Sequence, residues 1–268
     1  MPRPAAGIIV VAVTGKKPNT ALVTGAARRI GRAIALDLAS LGWAVAVHHH
    51  AAGADATAVV AEITAAGGRA VALAADFGRE SEVAELSSRA AAALGPIGLL
   101  VNNASVFEPD LVESATRESW DAHLEVNLRA PFVLIQALAA ALPRGAEGCV
   151  VNMLDQRVWN LTASFVSYTV SKSALWTLTR SCALALAPRV RVNAIGPGPT
   201  LPGARQTAAE FERQCAAMPL GRGTTPEEIC QAVRFILGAS AMTGQMIALH
   251  GGQHLGPAPA RPSDGLDE

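Results

Sequence analysis

The chain has few aromatic residues, few charges and few cysteines for its length. Only 4% of its 268 residues are Phe, Trp or Tyr, and it contains a single tyrosine, Tyr168. The four cysteines lie far apart and form no CxxC pair, so neither a zinc site nor a disulfide framework is indicated. Lysine plus arginine equals aspartate plus glutamate, at 22 each, which leaves no net charge to attract a nucleic acid. We therefore expect reduced thiols, no bound metal and no nucleic-acid partner.

Long apolar runs are also missing. No run approaches the ~20 residues that span a bilayer. The short apolar stretch 8–13 is followed by Gly15, Lys16, Lys17 and Pro18 in place of a signal-peptide cleavage site. We therefore predict a cytoplasmic protein without a membrane partner. Apolar residues as a whole are plentiful, at 50% of the sequence, which is enough for one sizeable core.

Short β-branched runs alternate along the chain with longer segments of helical periodicity. This alternation predicts an α/β fold, namely a single doubly wound parallel sheet of the Rossmann type with helices on both faces. One domain is expected over residues 20–255, after an N-terminal extension of residues 1–19 and before a disordered tail of residues 256–268. The predicted strands are 21–23, 44–47, 70–74, 99–101, 149–153, 190–195 and 246–249.

A glycine-rich loop follows the first predicted strand and leads into an amphipathic helix. Gly25 and Gly31 frame it, with Arg28, Arg29 and Ile30 in its second half. Such a loop brings backbone amides and the positive end of a helix towards a pyrophosphate, which predicts a dinucleotide site. Arg29 stands where the middle glycine of such loops normally lies, and it adds a fixed cation to the site.

The end of the second strand favours NADPH over NADH. An NAD site usually has an acidic residue there for the ribose hydroxyl, whereas this chain has His48, His49 and His50. Arg28, assisted by a protonated histidine, can hold the 2′-phosphate of NADPH instead. Alternatively, the three histidines form a solvated strand end.

Two further strand ends contribute candidate cofactor residues. Asp76 follows the third strand, where its carboxylate can accept from the adenine amino group or, equally well on sequence, cap the next helix. Asn103 and Ala104 follow the fourth strand, and such amide and small residues let a nucleotide approach the backbone closely. Ligands of doubly wound sheets bind at these carboxyl ends of the strands.

A catalytic pair is predicted in a helical segment over residues 167–187. Tyr168 lies four residues before Lys172, so both side chains share one helix face. A neighbouring ammonium favours the phenolate, so we expect it to lower the pKa of Tyr168 and to make the phenol a proton donor or acceptor. Asn127, on the preceding predicted helix, supports the same assignment.

Together these motifs resemble the short-chain dehydrogenase/reductase superfamily over about residues 20–255. In that family the tyrosine is the general acid, the lysine lowers its pKa and holds the nicotinamide ribose, and the asparagine supports a proton-relay water chain. The resemblance implies these roles for Tyr168, Lys172 and Asn127, and it places Pro197 and Gly198 beside the nicotinamide. It also implies a homotetramer.

Two departures from the usual family pattern narrow the resemblance to the pteridine reductase branch. Asp155 stands where the family has a serine, thirteen residues before the tyrosine, and Arg29 replaces the loop glycine. With Ser105 and Phe107, they are similar to that branch, which includes dihydromonapterin and dihydrofolate reductases of this fold. There the arginine contacts cofactor phosphate and substrate, the serine contacts the cofactor, and the phenylalanine stacks the pterin against the nicotinamide.

Asp155 and Phe107 suit a pterin on chemical grounds as well. A flat ring whose C=N bond gains hydride at carbon and a proton at nitrogen needs a stacking face, which Phe107 can supply. It also needs a proton source, and Asp155 can feed a proton through Tyr168 if burial raises the pKa of Asp155. The alternatives are a capping or salt-bridging role for Asp155 and an ordinary core position for Phe107.

The resulting hypothesis is an NADPH-dependent reductase of a C=N bond in a pterin or folate. Its predicted substrate-binding residues are Arg29, Ser105, Phe107, Asp155 and Tyr168. The alternatives are a carbonyl reductase of the same superfamily, acting on ketones or 3-oxoacyl groups, and a catalytically silent NADP-binding sensor. Residues 201–218 are expected to close over the substrate, with Trp159 and Leu201 as candidate walls of the pocket.

Overall fold

A computed structural model describes residues 18–203 and 205–256, and one seven-stranded parallel sheet runs through them. The strands lie in the order β3-β2-β1-β4-β5-β6-β7. This order changes direction between β1 and β4, and such a switch point opens a crevice at the carboxyl ends of the strands. The strands are β1 (Thr20–Val23), β2 (Ala44–His49), β3 (Ala70–Ala74), β4 (Ile97–Asn102), β5 (Gly148–Met153), β6 (Val190–Pro197) and β7 (Met246–Leu249).

Helices cover both faces of the sheet, because successive strand residues point to opposite sides. On one face α1, α2 and α8 pack against the sheet through side chains such as Ile34 and Ile236. On the other face α3, α5 and α6 do so, through side chains such as Leu86 and Leu134. The α-helices are α1 (Arg29–Ser40), α2 (Gly53–Ala65), α3 (Glu80–Leu94), α4 (Arg117–Leu124), α5 (Ala130–Ala141), α6 (Val166–Leu186), α7 (Ala208–Ala216) and α8 (Pro226–Gly238).

Residues Arg117–Ala141 form one continuous helical stretch, in which the π-helical turn Glu125–Arg129 joins α4 to α5. By length and composition alone this stretch is apolar enough to cross a membrane. Its side chains Leu134, Ile135 and Leu138 are buried in the core on the second face of the sheet. The apolar character of the stretch is thus accounted for by packing within the fold.

The predicted α/β fold is confirmed, and the differences concern the ends of elements and one helix. β4 begins at Ile97 rather than at residue 99, and β6 continues to Pro197 rather than ending at residue 195. The helix α7 lies within the stretch 201–218, which has no firm periodicity. None of its residues is buried, so its formation depends on a capping box between Thr207 and Glu210 rather than on an apolar face.

The predicted chain ends fall largely outside the described residues. Of the predicted extension 1–19 only Pro18 and Asn19 are described, and of the predicted tail 256–268 only Gly256. The predicted domain boundaries therefore stay predictions.

Candidate active site

The glycine loop between β1 and α1 has the backbone that its glycines predict. Gly25 has a φ of +60°, and a Cβ atom at Gly31 would lie 2.2 Å from the Gly25 carbonyl oxygen. Because no side chain fits there, helix and strand pack closely and bare backbone is presented at the start of the helix. This cradle fits the pyrophosphate of a dinucleotide.

Arg29 adopts a left-handed backbone conformation, with a φ of 54°. This explains why a glycine normally occupies the position, since a residue with a Cβ atom costs about 1–2 kcal/mol in that conformation. The Arg29 guanidinium donates hydrogen bonds to the carbonyl oxygens of Leu201, at 3.2 Å, and Pro202, at 2.8 Å. It therefore links the glycine loop to the loop that follows β6.

His48 binds the backbone of the glycine loop as a neutral side chain. The Gly25 N–H donates to Nδ1 of His48 at 3.0 Å, so the ring proton lies on Nε2, 3.1 Å from the Ala75 carbonyl oxygen. Burial lowers the pKa of His48 to about 4, and its ring stacks on Phe77 at a centroid distance of 4.2 Å. The expectation of a protonated histidine at the 2′-phosphate is therefore wrong for His48, whose part is to hold the loop.

The other polar residues at the end of β2 lie closer to the surface. His49, His50 and Arg28 border a cavity of about 410 Å³ beside the glycine loop. The Nε atom of Arg28 donates to the Asp55 carboxylate at 2.6 Å, and both side chains are exposed. An exposed ion pair of this kind contributes about 0–1 kcal/mol, so a phosphate can compete for Arg28.

Asp76 and Asn103 lie at the next two strand ends. The Asp76 carboxylate accepts from the Gly78 N–H at 2.9 Å in a local turn, and it does not cap α3, whose N-cap is Arg79. The side-chain amide of Asn103 donates to the carbonyl oxygens of Thr24, at 2.9 Å, and of Gly25, at 3.1 Å. Asn103 thus fixes the loop after β4 to the glycine loop.

These elements enclose a cleft of about 440 Å³ over the carboxyl ends of the strands. Most of the predicted cofactor residues line it, whereas His49 does not. The predicted residues in its lining are Gly25, Arg28, Arg29, Ile30, Gly31, His48, His50, Asp76, Asn103, Ala104 and Ser105.

Tyr168 and Lys172 lie on one face of α6, as predicted, with Nζ of Lys172 5.7 Å from the centre of the Tyr168 ring, but their polar atoms form hydrogen bonds to other partners. The Tyr168 hydroxyl donates to Oδ2 of Asp155 at 2.9 Å, while Nζ of Lys172 donates to the Met153 carbonyl oxygen at 2.8 Å. Burial, with a contribution from the Asp155 carboxylate, raises the pKa of Tyr168 well above its ordinary value. Burial also lowers the pKa of Lys172 to about 8. The predicted lowering of the Tyr168 pKa is therefore wrong for this structure.

Asp155 accepts from Tyr168, as the catalytic prediction requires, and it also has the capping and salt-bridging roles that were the alternatives. Its Oδ1 atom accepts from the Arg157 N–H at 2.8 Å and so caps the short 3₁₀ helix Gln156–Val158. The same carboxylate forms an ion pair with the Arg157 guanidinium at 3.4 Å, with both side chains 18% exposed. Arg157 was missed by the sequence reasoning, and its position two residues after Asp155 is the signal that could have found it.

Phe107 is part of an aromatic wall beside Tyr168. Its ring stacks on Phe165, at a centroid distance of 4.3 Å, and meets Tyr168 edge to face at 4.6 Å. The Arg157 guanidinium carbon lies 5.3 Å from the Phe107 centroid and 5.2 Å from the Phe165 centroid, so it sits beside the pair. Phe107 is 40% exposed, so the alternative of a core position is wrong. Phe165 was not predicted from the sequence.

Asn127 is fully buried in the π-helical turn between α4 and α5. Its Oδ1 atom accepts from the Val106 N–H at 2.8 Å and from the Ser105 hydroxyl at 3.1 Å. Its Nδ2 atom donates to the Val106 carbonyl oxygen and to the Ser171 hydroxyl, both at 3.0 Å. The side chain therefore joins the loop after β4 to α6, and its hydrogen bonds go to neither Tyr168 nor Lys172 among the described residues.

A second cleft, of about 300 Å³, continues from the first over the ends of β5 and β6. A Cβ atom at Gly198 would lie 2.6 Å from Cβ of His250, so the position requires a glycine. The candidate wall Leu201 lines this cleft, whereas Trp159 packs instead against His250 and His254. The predicted residues in the lining are Arg29, Ile30, Asn103, Ser105, Phe107, Asp155, Tyr168, Lys172, Pro197, Gly198 and Leu201.

The sequence pattern of the short chain dehydrogenase family matches residues 19–213. An uncharacterized oxidoreductase of Methylorubrum extorquens is 36% identical over 87% of this chain and 97% of its own length. The 3-oxoacyl-[acyl-carrier-protein] reductase FabG of Staphylococcus epidermidis is 31% identical over 88% of this chain and 99% of its own. The chain therefore belongs to the short-chain dehydrogenase family, and it is an oxidoreductase.

Among solved structures, the chain is similar to FolM alternative dihydrofolate reductase 1 from Brucella suis. The two are 48% identical, with a TM-score of 0.86, over 91% of this chain and 97% of that chain. The same protein from Brucella canis is 47% identical, with a TM-score of 0.87, over 93% of this chain and 98% of that chain. Both were crystallised with NADP, in agreement with the cofactor predicted for this chain.

Proposed function

We propose that this protein is an NADPH-dependent reductase of a pterin-type C=N bond, in a dihydropteridine, dihydromonapterin or dihydrofolate. The observation that carries the proposal is the hydrogen bond from the Tyr168 hydroxyl to Asp155, at 2.9 Å, beside the exposed ring of Phe107. The carboxylate favours the protonated phenol, and the ring supplies a flat apolar surface for a heterocycle. The likeness to FolM alternative dihydrofolate reductase 1 supports the same substrate class.

The cofactor residues follow from the shape of the first cleft. Gly25, Arg29 and Gly31 would hold the pyrophosphate, since the space around Gly31 admits no side chain. Arg28 and His50 border the cavity at the end of β2 and would hold the 2′-phosphate. When bound, NADPH supplies the hydride that adds to the ring carbon.

Tyr168 would deliver the proton that the ring nitrogen gains. Reduction of C=N to CH–NH takes up one hydride at carbon and one proton at nitrogen. The Tyr168 phenol gives up that proton and becomes a phenolate. Lys172, whose ammonium lies 5.7 Å from the Tyr168 ring, would stabilise that negative charge. Asp155 would take up a proton from solvent and pass it to the phenolate, which restores the phenol and leaves the carboxylate as it was before the step.

A carbonyl reductase is the second candidate, because the chain is also 31% identical to the 3-oxoacyl reductase FabG. A ketone needs a hydrogen-bond donor that polarises its oxygen, and the serine of the usual family pattern is such a donor. The Asp155 carboxylate, which pairs with Arg157 and accepts from its N–H, offers a carbonyl oxygen no such donor and repels it. This difference favours the pterin over the ketone.

The experiment is steady-state oxidation of NADPH by the full chain with two sets of substrates. Dihydrofolate, dihydromonapterin and dihydrobiopterin form one set, and 3-oxoacyl thioesters and simple ketones form the other. We expect kcat/KM for at least one pterin to exceed that of every ketone by about 100-fold or more, as expected when a required polar contact is unmet. Turnover of ketones alone would overturn the proposal in favour of the second candidate.

We also propose that the protein acts as a homotetramer in the cytoplasm, as the family resemblance implies. Val170 and Leu184 on α6 are 39% and 85% exposed, and apolar side chains on a helix surface suit burial against another copy. Light scattering of the purified chain should give about four times the monomer mass of 27.6 kDa. A monomer would contradict this part of the proposal.

A further inference from the structure

A buried polar cluster lies behind Tyr168, outside both clefts. It consists of Asp110, Ser119, His123 and Ser167, and we call it the Asp110 cluster. Asp110 is 5% exposed, while His123 and Ser167 are fully buried. Burying a carboxylate and an imidazole is costly unless their hydrogen bonds are satisfied, so the cluster requires an explanation.

The direction of every hydrogen bond in the Asp110 cluster is determined by its partners. The Ser119 carbonyl can only accept, so Nδ1 of His123 carries the proton at 2.7 Å, and the Glu108 N–H donates to Nε2 at 3.1 Å. The Ser119 hydroxyl donates to Oδ2 of Asp110 at 3.0 Å. The Ser167 hydroxyl donates to the same oxygen, and the Ser167 N–H donates to Oδ1 at 3.2 Å. The Ser167 hydroxyl oxygen also lies 2.8 Å from Nδ1 of His123, where it can only accept, because its own proton is used by Asp110.

The composition of this cluster is that of a hydrolase triad, but its bonding excludes that activity. The Ser167 proton points to Asp110 and not to His123. Both nitrogens of His123 are already engaged, so neither is free to take a proton from a nucleophile. Burial raises the pKa of Asp110, but the hydrogen bonds from Ser167 and Ser119 outweigh it and lower the pKa overall. Asp110 is therefore an anion held by the start of α6.

The cluster fixes the backbone on both sides of the contact between the aromatic wall and the proton donor. Glu108, whose N–H binds His123, directly follows Phe107. Ser167, which binds Asp110 through its N–H and its hydroxyl, directly precedes Tyr168. The rings of Phe107 and Tyr168 lie 4.6 Å apart between these two anchors.

The third anchor concerns Phe165, the ring on which Phe107 stacks. Phe165 has a left-handed φ of 60°, a conformation that a residue with a large side chain rarely adopts. Its N–H donates to the Asp110 carbonyl oxygen at 2.8 Å. The backbone of Asp110 thus holds the second ring of the wall, while the side chain of Asp110 holds the start of α6.

We infer that Asp110 is a positioning residue that sets the spacing between the aromatic wall and the Tyr168 hydroxyl, and with it the fit of a flat heterocyclic substrate. Asp110 contacts neither cleft, so its effect passes through Ser167 and His123. The inference rests on the proposed function for the identity of the substrate. Displacement of a reacting group by about 1 Å can cost up to about 100-fold in rate, so small shifts in the cluster matter.

The experiment compares Asp110→Asn and Ser167→Ala with Asp121→Asn as the matched control. Asp121 also lies in this region, on α4, but it pairs with the exposed Arg117 one turn earlier on the same helix. For the first two variants we expect kcat to fall and KM for the pterin to rise, with kcat/KM lower by about 10-fold or more. NADPH affinity should stay within about twofold, and the control should match the wild type in every constant.

A purely structural role would give a different pattern. It would lower the melting temperature and the number of NADPH-binding sites, but kcat per site and KM would stay unchanged, and that result would overturn the inference.

If Asp110→Asn does not fold, the milder Ser119→Ala, which removes one donor to the carboxylate, must still shift KM and kcat. If the wild type reduces a ketone and no pterin, the proposed function fails, and the same comparison is made with the ketone. Unchanged constants in all variants would then overturn the inference separately.

Discussion

The two halves of the cleft are held together in different ways. In the half that fits the nucleotide, the buried His48 and the half-buried Asn103 bond to the backbone of the glycine loop. In the half around the proton donor, Tyr168, Asp155 and Arg157 bond to one another. The first half therefore presents a fixed backbone surface, and the second presents a set of charges. A few side chains can therefore select the reaction while the cofactor cradle stays the same.

Tyr168→Phe is expected to have the largest effect, and to affect the reaction half of the cleft without the nucleotide half. It removes the hydroxyl that donates to Asp155 and leaves the aromatic contact with Phe107 in place. Because general acid catalysis contributes about 10²–10⁴-fold, we expect kcat to fall by that factor. NADPH affinity, measured by fluorescence titration, should be unchanged. A parallel loss of NADPH binding would show that the halves are not separate.

His48→Gln tests the nucleotide half through stability. The folded protein keeps His48 neutral down to its pKa of about 4, whereas the unfolded chain takes up a proton near pH 6.5. Acid therefore favours unfolding over this window, by up to about 3 kcal/mol between pH 6.5 and pH 4. Urea unfolding of the variant should show a smaller loss of stability over the same window. An equal loss in both proteins would mean that His48 is not neutral in the fold.

Arg29→Gly tests a charged residue that borders both halves. Glycine relieves the left-handed strain, but it removes the donors to Leu201 and Pro202, so the loop after β6 loses its link to the glycine loop. We expect KM for the pterin to rise about 5- to 10-fold, with a smaller change in NADPH affinity. Arg32→Ala, which removes an exposed arginine paired with Glu62, is the control. Unchanged cofactor and pterin constants would contradict the assignment of Arg29.

The nucleotide half could be read from the sequence in large part, because its geometry is local. Gly25 and Gly31 determine a strand-turn-helix unit within a few residues. The alternation of short apolar strands with amphipathic helices is also visible in the sequence without knowledge of tertiary contacts. The role of His48 could not be predicted from the sequence. Its position predicted a ligand contact, but its burial and its neutral state depend on Ala75 and Phe77, which lie far along the chain.

The reaction half was only partly predictable, because it depends on long-range contacts. The spacing of Tyr168 and Lys172 placed both on one helix face, with the ammonium 5.7 Å from the phenol ring, but burial and the Asp155 carboxylate raise the pKa of Tyr168. The direction of the Tyr168 pKa was therefore mistaken. Phe165 was missed because a phenylalanine in a left-handed conformation has no sequence signature, and Arg157 was missed although it lies only two residues after Asp155.

The most direct test of the account is a spectroscopic titration of Tyr168, comparing the wild type with Asp155→Asn. Tyr168 is the only tyrosine of the chain, so the tyrosinate absorbance near 295 nm reports this one side chain. We expect the wild-type pKa of Tyr168 to lie well above its ordinary value, because of burial and the Asp155 carboxylate, and to fall in Asp155→Asn. The same pKa in both proteins would contradict the claim that Asp155 keeps the phenol in its proton-donating form.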